Sequence, residues 1–421
     1  MRIISSSDWR PLATLLDRAP RRDVALERRV ARIVADVRRR GDEALVAYAR
    51  RFDALAGGIE VTRDEMRRGA DAAPRGLRQA IRDAAARIRR VAARQVPKSW
   101  TFETAPGVRI QQRVLPLDRV GCYVPGGRYP LPSSLLMTAV PARVAGVPEI
   151  IAVCPRPDAA VCCAAIEAGV TRMFRLGGAH AVAALAYGTS SVPAVDKIVG
   201  PGNAYVAAAK ALVASDCAID FFAGPSEIVI VSSAGRPAWI AADLIAQAEH
   251  DPDARAILIT PSKTLARAVA REVGRQLPSH GPARTALTRN GGIVLTTTLD
   301  EAVALSQRAA PEHVVCDTAA VADRLTRAGT VFVGGHSAQA AGDYATGSNH
   351  VLPTSGAARA RGGLSAADFV RVQTTQRLTA GGLKHISAGA VALAEAEGLS
   401  AHAASIRIRA GRRRALGARA R

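Results

Sequence analysis

The chain has 421 residues, 48% apolar and 22% charged. That is a globular balance, fitting about two to four domains and excluding a disordered chain. The net charge of +21 comes from 52 arginines and five lysines mixed with Asp and Glu, with only 4% aromatics; no nucleic-acid partner is expected from so diffuse a charge and so few stacking residues.

The N-terminal stretch MRIISSSDWRPL has no apolar h-region and no small-residue cleavage site, so no signal peptide is expected and the cytoplasm is the default. Residues 22–56 read as helix: Val24, Leu26, Val30, Ile33, Val34 and Val37 recur mainly at spacings of three and four. Gly41-Asp42 divides this segment, with Asp42 expected to cap the second helix. Residues 75–95 repeat the helical pattern. The longest apolar stretch, 139–154, is broken by Arg143 and Glu149, so no membrane span is expected.

From about residue 148, short β-branched runs alternate with helical stretches. Strands are expected at 149–153, 172–176, 196–199, 228–231, 256–259, 293–295, 314–316 and 330–333. Helices are expected near 158–168, 180–187, 203–215, 237–249, 262–276, 299–309 and 318–327. The alternation predicts parallel sheets covered by helices, in two α/β modules at roughly 123–225 and 228–335. The basic, Gly-interrupted tail RAGRRRALGARAR reads as a frayed terminus. Cys122, Cys154, Cys162, Cys163, Cys217 and Cys316 form no CxxC pair and are expected to be reduced core thiols.

The usual nucleotide and nucleophile-elbow fingerprints are absent. Four Gly-rich turns stand out instead: Tyr123-Val-Pro-Gly-Gly-Arg128, Leu176-Gly-Gly-Ala179, Val199-Gly-Pro-Gly-Asn203 and Ala223-Gly-Pro-Ser-Glu227. Each can be an ordinary connection; several at corresponding strand ends can instead line a ligand cleft. His250 ends a helical segment, and Gln247 three residues earlier shares its face, so the pair could meet one metal ion or could be surface residues. Pro311-Glu312-His313 precedes an apolar strand, where Glu could activate water and His could shuttle a proton. Two solvated polar side chains are the competing reading. Residues 342–354, GDYATGSNHVLPT, read as a long irregular loop dense in Asp, Asn, His and Gly. Glu397 and His402 lie in a C-terminal amphipathic segment, and nothing local explains them.

Together these segments resemble histidinol dehydrogenase over about residues 22–409. The motifs are YVPGG at 123–127, GPGNAYV at 200–206, AGPSE at 223–227, QAEH at 247–250, PEH at 311–313, GDYATGSNHVLPT at 342–354 and GLSAADF at 363–369. The resemblance implies oxidation of L-histidinol to L-histidine, the last step of histidine biosynthesis, with two NAD used in succession and one Zn²⁺ per active site. It implies Gln247, His250, Asp343 and His402 as zinc ligands, a set that suits Zn²⁺. His313 would be the general base and Glu312 would activate the water that attacks the aldehyde intermediate. Ser226, His350 and Glu397 would contact substrate along with Gln247, His250, His313, Asp343 and His402. Tyr123, His180 and Asn203 would contact NAD. At His180 the chain reads GGAHA where the family often has GGAQA; a histidine there can donate one hydrogen bond.

The expected fold is α/β: two incomplete Rossmann-like parallel-sheet modules with small helical N- and C-terminal segments, in an intertwined homodimer. The expected division is a small helical domain (1–19 with 365–389), an α/β domain with most zinc and catalytic residues (20–122 with 228–364), an NAD-binding α/β domain (123–227) and a C-terminal segment (390–421) reaching the partner's active site. The nearest rival is a related zinc- and NAD-dependent dehydrogenase of another small alcohol; Ser226, His350 and Glu397 favour histidinol. An inactive scaffold would have lost catalytic positions, and all six of Gln247, His250, Glu312, His313, Asp343 and His402 are present.

Overall fold

The computed structural model describes residues 1–17, 23–126, 131–221 and 224–411. Gly127 and Arg128 of the first Gly-rich turn, Ala223 of the fourth and the basic tail from Arg412 lie outside the described residues. The chain forms two compact units, one of residues 1–95 and 117–369, the other of 96–116 and 370 onward.

In chain order the strands begin with β1 (Ile3–Ser5), β2 (Glu60–Val61), β3 (Trp100–Ala105), β4 (Val108–Pro116), β5 (Arg119–Tyr123), β6 (Glu149–Val153), β7 (Arg172–Phe174), β8 (Lys197–Val199) and β9 (Ala218–Ile219). They continue with β10 (Glu227–Val231), β11 (Arg255–Thr260), β12 (Gly291–Leu295), β13 (His313–Cys316), β14 (Thr330–Val333) and β15 (Val370–Leu378). The first unit carries two six-stranded sheets, ordered β2-β7-β6-β5-β8-β9 and β1-β12-β11-β10-β13-β14. All pairs are parallel except the edge pair β2–β7. In each sheet three strands step outward in one direction, and the chain then crosses to the other side, between β5 and β8 or between β10 and β13.

The central strands of both sheets are largely apolar because helices cover both faces. Ile228 and Ile230 of β10 join one core with Ile240, Leu244, Val269 and Leu287, whereas Val229 and Val231 join the other with Leu12, Leu15 and Val303. Successive side chains leave opposite faces of a strand, so covering both faces removes the polar alternation. The other sheet packs Ile151, Val153 and Phe174 against Val30, Val34, Leu45 and Val182. The parallel α/β modules expected from the strand–helix alternation are thus observed.

Domain boundaries differ from expectation, because backbone pairing rather than local pattern decides them. Residues 1–19 do not form a helical domain with 365–389: β1 pairs with β12, and 370–378 is strand β15 of the second unit. Residues 20–95 and 117–122 share the first unit with 228–364, and so does 123–227; within that unit helices Val24–Arg40 and Asp42–Phe52 pack on the β5–β9 sheet, β2 pairs with β7 and β5 is a central strand. The segment 390–421 is not separate; its described part packs in the second unit.

Local corrections have equally local causes. Gly41, with φ of 57°, makes the joint between the first two long helices. Asp42 is the first residue of the second helix rather than its cap, and its carboxylate accepts from Ser191 Oγ at 2.8 Å. The helix expected at 318–327 is only Ala319–Ala322. Helix Arg63–Ala72 went unread although Thr62 and Glu65 spell a capping box.

The second unit contains the antiparallel sheet β15-β4-β3 and helices Ala380–Ala396 and Ser400–Arg409. Its surface leaves Trp100, Phe102, Val372, Leu393 and Ile408 exposed. Among the described residues no helix is long and apolar enough to cross a membrane.

Candidate active site

The chemistry-bearing residues collect at the amino ends of β10 and β13. Glu227 opens β10 and His313 opens β13, with Ile228 paired to His313. The Glu312 carboxylate accepts from Glu227 N–H at 2.8 Å. His313 Nδ1 lies 3.1 Å from the Glu227 carbonyl. A carbonyl only accepts, so Nδ1 carries the proton and Nε2 presents a lone pair. Burial pushes the imidazole down to about 4, which keeps it neutral, with its Nε2 lone pair available, at neutral pH. Adjacent residues of a strand face opposite ways, yet Glu312 and His313 both reach the cluster because Glu312 precedes the first residue of β13.

Two helices bring the remaining side chains to this edge. Helix Pro237–Ala248 runs back from the far end of β10 and delivers Gln247 in its last turn, with His250 just beyond. The segment expected as a loop at 342–354 begins in a helix, Gln339–Tyr344, and that helix carries Asp343. His250 Nε2 lies 4.0 Å from Asp343 Oδ2. His350 Nδ1 donates to the Asp343 carbonyl at 2.9 Å, and burial holds this imidazole below its usual value. Asn349 Nδ2 donates to Met137 O at 2.7 Å, tying down the irregular stretch that follows.

Gln247 is fully buried, and neither its amide nitrogen nor its amide oxygen has a hydrogen-bond partner. An orphaned buried amide is costly, and a metal ion held with His250 and Asp343 would satisfy its oxygen, leaving the NH2 group for an acceptor on what fills the site. The oxygen, imidazole and carboxylate donors suit Zn²⁺. Among the described residues no group of three or more His, Cys, Asp and Glu converges on one point; the set here is two such donors plus an amide. Ser226 lies immediately before β10, and its carbonyl accepts from Arg255 N. Glu397 and His402, both exposed, belong to the second unit.

Tyr123, His180 and Asn203 sit at the carboxyl ends of β5, β7 and β8 in the other sheet. Tyr123 is buried, and its hydroxyl accepts from Gly178 N–H at 2.9 Å. His180 is 1% exposed, with Nε2 2.8 Å from Asp53 Oδ2, which also accepts from Gly177 N–H at 2.8 Å. Exposed Asn203 caps helix Ala204–Val213. Gly200 has φ of 114°, and a Cβ there would collide with the Tyr123 carbonyl, so this turn requires glycine. The buried Lys210 ammonium, bonded to Asp220 and to the Gly200 carbonyl at 2.9 Å, pins the turn from below.

Sequence reasoning assigned no role to Glu227, Asp53 or Gln339. Gln339 had one readable signal: it lies four residues before Asp343, on the same helical face.

Asp243, one turn before Gln247, is half-buried, and no described residue offsets its charge; burial pushes its carboxyl up to about 6. A carboxyl raised on folding costs nothing well below its unfolded value, costs progressively more as pH climbs from that value to the folded one, and costs the full amount above it. Asp243→Asn is therefore expected to stabilise the metal-free protein by roughly 2–3 kcal/mol at pH 7.5 and by about a third of that at pH 4.5. Denaturant midpoints at the two pH values check this; a pH-independent gain would contradict it.

The chain matches the histidinol dehydrogenase family model over residues 16–410. It is 47% identical to histidinol dehydrogenase of Methylococcus capsulatus over 403 residues, 92% of each chain. It is 46% identical to that of Geobacter sulfurreducens over 412 residues, 94% of this chain and 96% of the other. A crystal structure of histidinol dehydrogenase from Elizabethkingia anophelis superposes with a TM-score of 0.91 at 33% identity, covering 97% of this chain and 98% of that one.

Proposed function

The chain belongs to the histidinol dehydrogenase family, and on that premise we propose that it oxidises L-histidinol to L-histidine through the aldehyde, with zinc and two successive NAD. The observation that carries the reading is the neutral, buried His313 beside Glu312, on the same strand edge as the unpartnered Gln247 amide, His250 and Asp343. Gln247, His250, Asp343 and His402 of the partner subunit would hold zinc, which would supply positioning and polarisation of the substrate, and bound NAD would supply the hydride acceptor for each oxidation.

The chain's own residues handle protons and water. His313 Nε2 takes the alcohol proton as the carbinol carbon is oxidised, because its Nδ1 proton is committed to the Glu227 carbonyl. Glu312, oriented by the Glu227 N–H, draws the proton from the water that adds to the aldehyde. His313 returns its proton to the carbonyl oxygen as the water adds, and takes the hydroxyl proton of the resulting hydrate in the second oxidation. Ser226, His350 and Glu397 orient the amino alcohol, the carboxylate of Glu397 facing its cationic amine.

The sheet order supports a dinucleotide site in the 123–227 segment. Tyr123 ends β5 and Asn203 follows β8, the two strands between which the winding direction reverses. Doubly wound sheets, of which these are two incomplete Rossmann-like examples, bind ligands in that crevice. His180 adds a third contact at the end of β7. The exposed apolar side chains of the second unit support an intertwined homodimer, in which Glu397 and His402 complete the partner's site. Six free, buried thiols fit a cytoplasmic enzyme.

The test is NADH production by zinc-loaded protein with L-histidinol limiting. About two NADH per histidinol, lost on chelation, are expected for a four-electron oxidation. No NADH from folded, zinc-loaded dimer would overturn the substrate assignment and turn attention to other small alcohols.

A further inference from the structure

We infer that Gln339 is a positioning residue that ties the liganding carboxylate Asp343 to the base His313 and accepts a hydrogen bond from the bound amino alcohol. Gln339 is 1% exposed. Its Nε2 donates to Asp343 Oδ2 at 3.0 Å and lies 3.4 Å from His313 Nε2. A primary amide nitrogen has two protons, one for each of these partners. Asp343 Oδ2 is also the oxygen that faces His250 Nε2 at 4.0 Å. Gln339 thus holds the oxygen best placed to share an ion with His250.

The other end of the amide is the second observation. Gln339 Oε1 is buried and has no hydrogen-bond partner. The Gln247 amide, on the helix that packs against the one carrying Gln339, is unsatisfied as well. A purely structural glutamine would have both ends paired. An acceptor left bare beside a base and a ligand carboxylate takes its donor from what fills the site. In histidinol, whose hydroxyl proton goes to His313, the donors that remain are the amine and imidazole N–H groups, and the amine, on the carbon next to the carbinol, is the nearer to the base. On substrate binding the hydroxyl displaces the long contact from Gln339 Nε2 to His313 Nε2, while the bond to Asp343 remains.

The inference rests on the zinc and histidinol reading above. The test is Gln339→Met, which keeps the length of the side chain and removes its hydrogen bonds. Zinc affinity is measured by competition with a chromophoric chelator, and the KM values for histidinol and NAD by steady-state kinetics. Zinc binding is expected to weaken by about 10–100-fold, the usual loss when a residue orienting a metal ligand is removed. The histidinol KM is expected to rise at least about tenfold, as for a lost buried hydrogen bond. The NAD KM and the thermal midpoint should hold, whereas a merely structural role would lower the midpoint and leave the two KM values in proportion. Should the Met variant not fold, Gln339→Asn, which keeps the amide but withdraws it by one methylene, decides on the same readouts. Wild-type zinc affinity and histidinol KM in the variant would overturn the inference and leave the proposed function intact. Wild-type protein that binds no zinc would overturn both, and the two failures are told apart by the wild-type titration alone.

Discussion

His313→Ala should lower kcat by about 10²–10⁴-fold, the usual contribution of a positioned general base, without a comparable change in the NAD KM. The Nδ1 proton is spoken for by the Glu227 carbonyl, so the lone pair must be on Nε2, and burial keeps that lone pair free at neutral pH. Glu312→Gln should produce a different failure. The amide can still reach the Glu227 N–H through its oxygen, so the local fold should survive, but it cannot take a proton from water. The first oxidation needs no water and the second does. The variant is therefore expected to release about one NADH per histidinol in the first turnover, with aldehyde trapped by a carbonyl reagent, instead of about two. Equal loss of both hydride transfers in Glu312→Gln would contradict the division of labour between the two residues.

Mixing two inactive variants should restore activity. His313→Ala destroys the base and leaves His402 intact; His402→Ala removes a metal ligand and leaves the base intact. In an intertwined dimer, each site takes its body from one subunit and His402 from the other. Statistical exchange makes half the dimers mixed, and each mixed dimer has one sound site of two. About a quarter of wild-type activity is therefore expected after unfolding and refolding the pair together, against background for either variant alone. No recovery, with exchange verified by tagged subunits, would place His402 in the site of its own chain. A chain ending at residue 390 should likewise lose zinc binding, since Glu397 and His402 lie beyond that point. The mixed-dimer result is the cleaner test because both partners keep their full length.

Much of the architecture was legible because its cause is local. Strands at 149–153 and 330–333 and helices at 75–95 and 299–309 match residue for residue, since a buried β-branched run or a period of 3.6 is a property of neighbouring residues. The strands β3, β4 and β15 were not legible. β3 and β15 are almost wholly exposed and carry no core-facing alternation, and β4 alternates mainly between exposed and half-buried positions, so pairing is what defines them. The N-terminal strand β1, three residues long, is a strand because Ile3–Ser5 lies alongside Ile293–Leu295, far along the chain.

The site divides along the same line. Residue type and motif alone singled out Gln247, His250, Glu312, His313 and Asp343, because their chemistry resides in the side chains themselves. Their tautomer, protonation and partners are tertiary facts. The proton on His313 Nδ1 is assigned by a carbonyl 86 positions earlier in the chain, and the imidazole is kept neutral by burial that no local pattern encodes. Asp53, in the N-terminal part of the chain, meets His180 across 127 positions, and Gln339 meets His313 only because a short helix and a strand end at one sheet edge. Sequence by itself determined which groups are available and which segments are regular, because composition, periodicity and side-chain chemistry are local. Which groups meet, and in which charge state, was decided by tertiary structure, because distance and desolvation depend on chain packing from far away.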